Sequence, residues 1–326
     1  MRGSDSAEFE SLLDKLGAGL LTSAATEWRL SPRPLLANFA SVTVLEVIQR
    51  SSEFLERKGV DSPRLQSELL LAHVLQLPRM KLYLNFEQPL MFGELDAVRG
   101  LVKRRGQREP LQHIVGSTSF CGLEMKVSRD VLIPRPETEL VAEHACRLLT
   151  AAAGNPPTAL DFATGSGCLA IVMAVKCPAA TVHATDVSAP ALAIAHENAA
   201  RHEVAGRIRF HAGDGLAAVP EDLRFDVIVS NPPYIPSEAV ATLQPEVRDH
   251  DPLLALDGGV DGLRFYKSLA TGAAARLRPG GRLVLELGHD QAKAVGGLLA
   301  DAQWNVEGIY QDYTGVERIL IARPLD

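Results

Sequence analysis

The sharpest chemical signal in this 326-residue chain is Asn231-Pro232-Pro233-Tyr234, which follows the run Asp226-Val227-Ile228-Val229-Ser230. Two successive prolines remove two N–H donors and fix φ, so the turn is stiff. Asn231 offers a side-chain carbonyl, and the main-chain carbonyl of Pro232 can face outward. Two acceptors can grip both hydrogens of a planar NH₂ group while Tyr234 covers its face. An NH₂ conjugated to a carbonyl or a ring is a poor nucleophile, because its lone pair is delocalised. Holding both N–H bonds orients the nitrogen and favours pyramidalisation toward an electrophilic carbon. The plain alternative is a proline-capped turn after a strand.

Three further segments end in residues of the same kind. The first reads Leu160-Asp161-Phe162-Ala163-Thr164-Gly165-Ser166-Gly167 and runs into a helix. Gly165 and Gly167 permit a sharp turn and close backbone approach to a ligand, and the helix start supplies unpaired N–H groups. A pyrophosphate loop would read GxGxxG. Here Asp161 stands at the loop entrance, where it disfavours an anion and suits an ammonium. Asp186, with Val187 beside it, lies 25 residues beyond Asp161 and can accept from two ribose hydroxyls. Asp214, within Gly213-Asp214-Gly215, can accept from an exocyclic adenine amine. Either aspartate alone can equally be a helix cap or a turn residue. Together, at successive strand ends, they point to an adenosine bearing a methionine tail, S-adenosylmethionine.

These loops need a scaffold. From Pro134 onward strand-like and helix-like segments alternate, with candidate strands at 158–163, 181–186, 207–211, 225–230, 281–287, 304–310 and 318–322. Seven strands with interleaved helices predict an α/β, Rossmann-like, mostly parallel sheet. The last two strands are joined by a short turn, so the final one is expected to be antiparallel. Residues 134–326 form the expected catalytic domain and 109–133 a β-hairpin linker. Residues 41–108 read as a small helical bundle. Its first helix carries Leu45, Ile48, Phe54 and Leu55; its second opens at Ser62-Pro63 and aligns Leu65, Leu69, Leu70, His73 and Val74. A third spans about Phe92 to Arg105, with Lys103-Arg104-Arg105 as either a solvated basic end or a contact surface for an acidic partner or RNA, and Gly106 as its stop. Residues 1–40, with weak periodicity around Phe9 to Leu21, are expected to be an accessory or poorly ordered extension.

Composition narrows the class. Lys plus Arg number 33 against 40 Asp plus Glu, a net charge of −7. This lowers the expectation of a protein that clings to nucleic-acid phosphates. The longest strictly apolar run, Cys168 to Val175, has eight residues, far short of the roughly twenty needed to span a membrane. Cys121, Cys146, Cys168 and Cys177 form no CxxC pair and complete no zinc pattern, so reduced thiols and no metal are expected. No secretory leader is evident, and Asp5, Glu8, Glu10 and Asp14 argue against a transit peptide. A cytoplasmic monomer is the expectation.

Several segments together carry a family resemblance. They are Arg108-Glu109-Pro110-Leu111-Gln112 with Gly116, Leu132-Ile133-Pro134-Arg135-Pro136-Glu137-Thr138-Glu139, the Asp161 loop and Asn231-Pro232-Pro233-Tyr234. To these add Leu243-Gln244-Pro245-Glu246-Val247-Arg248, Leu256-Asp257-Gly258-Gly259 and Leu277-Arg278-Pro279-Gly280-Gly281. Over roughly residues 42–323 the chain resembles the PrmC/HemK family, the glutamine-N5 methyltransferases of peptide chain release factors. The resemblance implies a class I methyltransferase domain and a helical domain that helps hold the release factor. It also implies that Asn231 and Pro232 bind the glutamine amide of a Gly-Gly-Gln motif, with Pro233 and Tyr234 in the same substrate site. Arg135 and Glu137 either line that pocket or are an ordinary ion pair at a helix start. One departure is Ala163, where the family usually has glycine; adjusted cofactor contact is the expectation. Asn-Pro-Pro-Tyr is shared with adenine-N6 methyltransferases. Methylation of DNA or RNA adenine, or of a ribosomal-protein glutamine, are therefore the alternative activities, and a non-catalytic binding protein is the alternative class.

Overall fold

The computed structural model describes residues 42–152 and 156–325. The extension expected at 1–40, with its periodicity around Phe9 to Leu21, lies outside the described residues. The chain divides between Val115 and Gly116 into two compact units.

The first unit is helical: α1 (Val44–Arg57), α2 (Pro63–Leu75), the single turn α3 (Arg79–Leu82), α4 (Phe92–Gly106) and α5 (Leu111–Val115). Thr43 and Glu46 cap α1 reciprocally, each side chain accepting from the other's backbone N–H, which satisfies two otherwise unpaired donors. Ile48, Leu55, Leu70, Leu71 and Val102 form its core. Helix α2 buries a face that overlaps the expected one only in part, with Leu70 in the core and Val74 packed against it. Ser67, Leu70 and Leu71 point inward, whereas Leu65 and His73 are exposed. Leucines occupy most sides of this helix, so spacing alone does not select a face; packing against α1 and α4 does.

The basic end of α4 also differs. Arg105 is buried and donates to Gln66 and to the Glu109 carbonyl, and Arg104 makes two 2.8 Å bonds to the Glu109 carboxylate. Gly106 is the last helical residue, not the stop. A Cβ there would come within 2.5 Å of the Phe54 ring, so its glycine serves packing.

The second unit opens with the hairpin β1 (Ser117–Phe120) and β2 (Leu123–Lys126), turned by Cys121 and Gly122, both at positive φ. There follow α6 (Pro136–Ala151), β3 (Thr158–Phe162), α7 (Cys168–Lys176), β4 (Thr181–Asp186), α8 (Ala189–Arg201), β5 (Ile208–Ala212) and β6 (Phe225–Ser230). The chain then runs through α9 (Pro245–Arg248), α10 (Arg264–Gly272), β7 (Leu277–Glu286), α11 (Ala292–Asp301), β8 (Trp304–Gln311) and β9 (Glu317–Pro324). The seven-stranded sheet has the order β5-β4-β3-β6-β7-β9-β8. Its first five strands are parallel, and β9 is antiparallel to both neighbours, as the short turn before it requires. Strand β7 starts earlier than expected, at Leu277. It carries Pro279 and Gly280 through a register shift opposite Phe225 and Val227.

Strand alternation divides the core. Ala159, Val227 and Val229 pack with Val141, Leu149 and Ile171 on one face; Leu160, Ile228 and Leu283 pack with Tyr266, Leu269 and Val295 on the other. Both faces are covered, so β3 and β6 are buried along their whole length. Strand order reverses at β3. Chains leaving β3 and β6 therefore diverge and open a crevice at their carboxyl ends. Phe162 pairs with Ser230, which sets Ala163 and Asn231 side by side at its floor.

Candidate active site

The loop after β3 makes its turn with Ala163 at φ +59°, Gly165 at +55° and Gly167 at +81°. A Cβ at Gly167 would sit 3.0 Å from Ala195 Cβ, so this glycine lets α8 approach α7. Ala163 occupies a left-handed conformation that suits glycine better. Asp161 is wholly buried behind the loop rather than at its mouth. Its Oδ2 accepts from Thr164 Oγ1 at 2.6 Å and from the Ala170 N–H at 3.0 Å, while its Oδ1 has no partner. Burial pushes the carboxyl up to about 7 despite those two bonds.

At the end of β4 Asp186 braces the same loop. It accepts from the Gly165 N–H at 2.9 Å and the Ser188 N–H at 2.8 Å, and burial raises its pKa. Asp186, Val187 and Asp214 line one cleft with Ala163, Thr164, Gly165, Ser166, Asn231 and Pro233. Its walls are closed by Val131, Leu132, Leu254 and Phe265, and the Thr185 hydroxyl beneath it is buried without a partner. Asp161, Gly167, Pro232, Tyr234, Arg135 and Glu137 are outside its lining.

Asn231 is held from behind. Its Nδ2 donates to Thr138 Oγ1 at 3.1 Å, and Thr138 donates to Glu286 Oε2 at 2.6 Å. Glu286 is buried at the end of β7, and burial pushes its carboxyl up to about 7. Among the described residues no donor reaches Asn231 Oδ1 or the Pro232 carbonyl. Both acceptors of the Asn-Pro turn are thus unengaged within the described fold. Tyr234 does not cover the cleft. Its ring packs against Gly288, and its hydroxyl lies 3.4 Å from Glu286 Oε1, a long contact for a hydrogen bond. The rigid Pro-Pro turn sends the next side chain back toward β7. Arg135 pairs with Asp251 at 2.6 Å and tethers the start of α6 to the segment carrying Pro252, Leu254 and Ala255 into the cleft wall. Burial pushes the Asp251 carboxyl up to about 6, with Arg135 opposing.

Two family models match the chain: the PrmC N-terminal domain at residues 46–116 and the methyltransferase small domain at 142–247. A protein of Chlorobaculum tepidum named release factor glutamine methyltransferase is 46% identical over 282 residues, 85% of this chain and 95% of its own. This chain belongs to the release factor glutamine methyltransferase family. A member from Geobacter sulfurreducens is 44% identical, covering 86% of this chain and 96% of its own. The hMettl16 catalytic domain, solved with an RNA hairpin, aligns with a TM-score of 0.50 over 69% of this chain and 81% of its own, at 16% identity. That likeness concerns the fold.

Sequence reasoning missed Thr138, Thr185, Asp251 and Glu286 as site residues. Thr138 stands inside the quoted family motif. Glu286 carried one legible signal, a carboxylate at the end of an otherwise apolar strand, Leu283-Val284-Leu285-Glu286. Among the described residues no group of His, Cys, Asp and Glu could hold a metal ion, and no helix is long and apolar enough to cross a membrane.

Proposed function

We propose that this chain transfers a methyl group from S-adenosylmethionine to the side-chain amide nitrogen of the glutamine in the Gly-Gly-Gln motif of peptide chain release factors. The observation that carries the reading is the pair of unengaged acceptors, Asn231 Oδ1 and the Pro232 carbonyl, beside the glycine-rich loop.

The residues present fit the cofactor. Asp186 retains lone pairs for ribose hydroxyls, and Asp214 stands exposed at the cleft edge for the adenine amine. Thr185 offers an unpaired hydroxyl. Asp161, with one unpaired oxygen behind the loop and a carboxyl raised to about 7, is neutral in part until an ammonium in front of the loop favours its ionised form. When bound, S-adenosylmethionine provides an electrophilic methyl group. The protein's part is then to hold the amide. Asn231 Oδ1 and the Pro232 carbonyl each accept one of its N–H bonds, withdraw the nitrogen lone pair from conjugation and aim it. Tyr234 and Pro233 stiffen this turn, and Arg135 acts through its tether to Asp251. Docking of the release factor is assigned to the helical unit, which carries exposed Met80, Leu84, Met91 and Phe92.

The deciding experiment supplies labelled S-adenosylmethionine together with release factor, ribosomes or DNA in separate reactions. Label on the glutamine of the release factor is expected; label confined to ribosomal protein or to DNA adenine overturns the reading.

A further inference from the structure

Thr138 and Glu286 form a buried relay behind Asn231 that the activity itself does not explain. An asparagine amide can present either its oxygen or its NH₂ to a ligand, and the two orientations have nearly the same shape. Only the oxygen can accept from a substrate amide. We infer that Thr138, itself directed by Glu286, sets the orientation of the Asn231 amide and thereby selects glutamine over glutamate as the side chain received. The inference rests on the proposed function and assigns that site its discrimination between an amide and a carboxylate.

The direction of the relay follows from donor inventory. An ionised carboxylate can only accept. Glu286 Oε2 therefore takes the single hydroxyl hydrogen of Thr138, at 2.6 Å. Thr138 Oγ1, having given that hydrogen away, can only accept, and it accepts from Asn231 Nδ2 at 3.1 Å. Asn231 Oδ1 is left without a partner, on a residue that lines the cleft together with Thr138. The reversed amide would set its carbonyl against Thr138 Oγ1, two acceptors with no hydrogen between them. Thr138 is 1% exposed and Glu286 likewise, so water does not readily replace either partner. Glu286 is also fixed at its main chain, where its carbonyl accepts from the Tyr266 hydroxyl at 2.8 Å. Thr138 and Glu286 are thus positioning residues.

The test compares Thr138→Val, Thr138→Ser and wild type in mildly alkaline buffer, where Glu286 is ionised. Valine keeps the shape and removes the hydroxyl; serine keeps the hydroxyl. The assay measures kcat on release factor at saturating cofactor, and inhibition by a release factor carrying Glu in place of the reacting Gln. Thr138→Val is expected to lower kcat about ten-fold, as for loss of one net hydrogen bond, and to tighten inhibition by the Glu factor several-fold. Cofactor affinity should stay within about two-fold, and Thr138→Ser should restore both readouts. A folded Thr138→Val enzyme with unchanged kcat and unchanged inhibition overturns the relay, as does a serine variant no better than valine. If the valine variant does not fold, Thr138→Ala carries the same comparison. Failure of the wild type to methylate release factor removes the proposed function and the relay with it. An active wild type with an indifferent Thr138→Val removes the relay alone.

Discussion

Asn231→Ala separates catalysis from stability and from cofactor binding. In the fold the Asn231 side chain makes one hydrogen bond, Nδ2 to Thr138 Oγ1 at 3.1 Å, and Thr138 remains satisfied by Glu286 when that bond is lost. One net hydrogen bond is worth about 1 kcal/mol, so Tm should fall by only about 2–4 °C. The reaction loses much more. Asn231 Oδ1 is one of two unengaged acceptors for the reacting amide, and removing one preorganised partner at a reacting centre typically costs about 10²–10³ in kcat. The loop and Asp186, which carry the cofactor in this reading, do not touch the missing atoms, so cofactor affinity should change by less than about three-fold. Single-turnover methylation at saturating substrate and cofactor, beside calorimetric titration and thermal unfolding, reads all three quantities. Turnover near the wild-type value in a folded variant would refute the assignment and leave Asn231 a turn residue. Equal loss of cofactor affinity and turnover would refute the separation.

Three further outcomes are expected. Asp186→Ala removes an acceptor assigned to ribose and the brace on Gly165, so S-adenosylmethionine affinity should drop roughly ten-fold or more; unaltered affinity by calorimetry in a folded variant counts against that role. Ala163→Gly relieves a left-handed alanine at about 1–2 kcal/mol against an entropic loss of roughly 0.5–1 kcal/mol. Its Tm should therefore hold or rise by up to a few degrees, and a clear fall would show the strain argument to be wrong. Asp161 has its folded pKa raised from 3.8 to about 7. The fold prefers the neutral carboxyl, so its contribution is full below about pH 4 and is lost as pH rises through 7. Asp161→Asn, whose carbonyl can still accept from Thr164 and Ala170, should gain stability over wild type by up to ~4 kcal/mol more at about pH 8 than at acid pH. Parallel denaturation midpoints across that range would contradict this.

Much of the molecule was written in short-range pattern. Short, largely apolar runs in β3 and β6, glycines at the β3 turn, and a proline pair that no strand can absorb specify a strand–loop–helix order on their own. The convergence of Asn231, Asp186 and Asp214 on one cleft was legible because each stands where a strand must end, and in a parallel sheet all those ends face one way. Residue type, spacing and chain direction suffice for that much.

What pattern could not supply was which side chain meets which across the fold. Helix α2 has leucines on most sides, and only packing on α1 and α4 decides that Leu71 goes in and Leu65 stays out. Asp161 reads as a loop-entrance charge, yet the strand pleat carries it beneath the loop, where desolvation changes its titration. Tyr234 reads as a lid, and the stiff turn directs it back to Gly288 and Glu286 instead. Thr138 and Glu286 are 148 residues apart. Their contact with each other and with Asn231 exists because α6 packs on the sheet beside the carboxyl ends of β6 and β7. Local sequence constrains φ, ψ and burial period; a hydrogen bond between remote residues depends on how whole elements pack, and that was decided only in the tertiary structure.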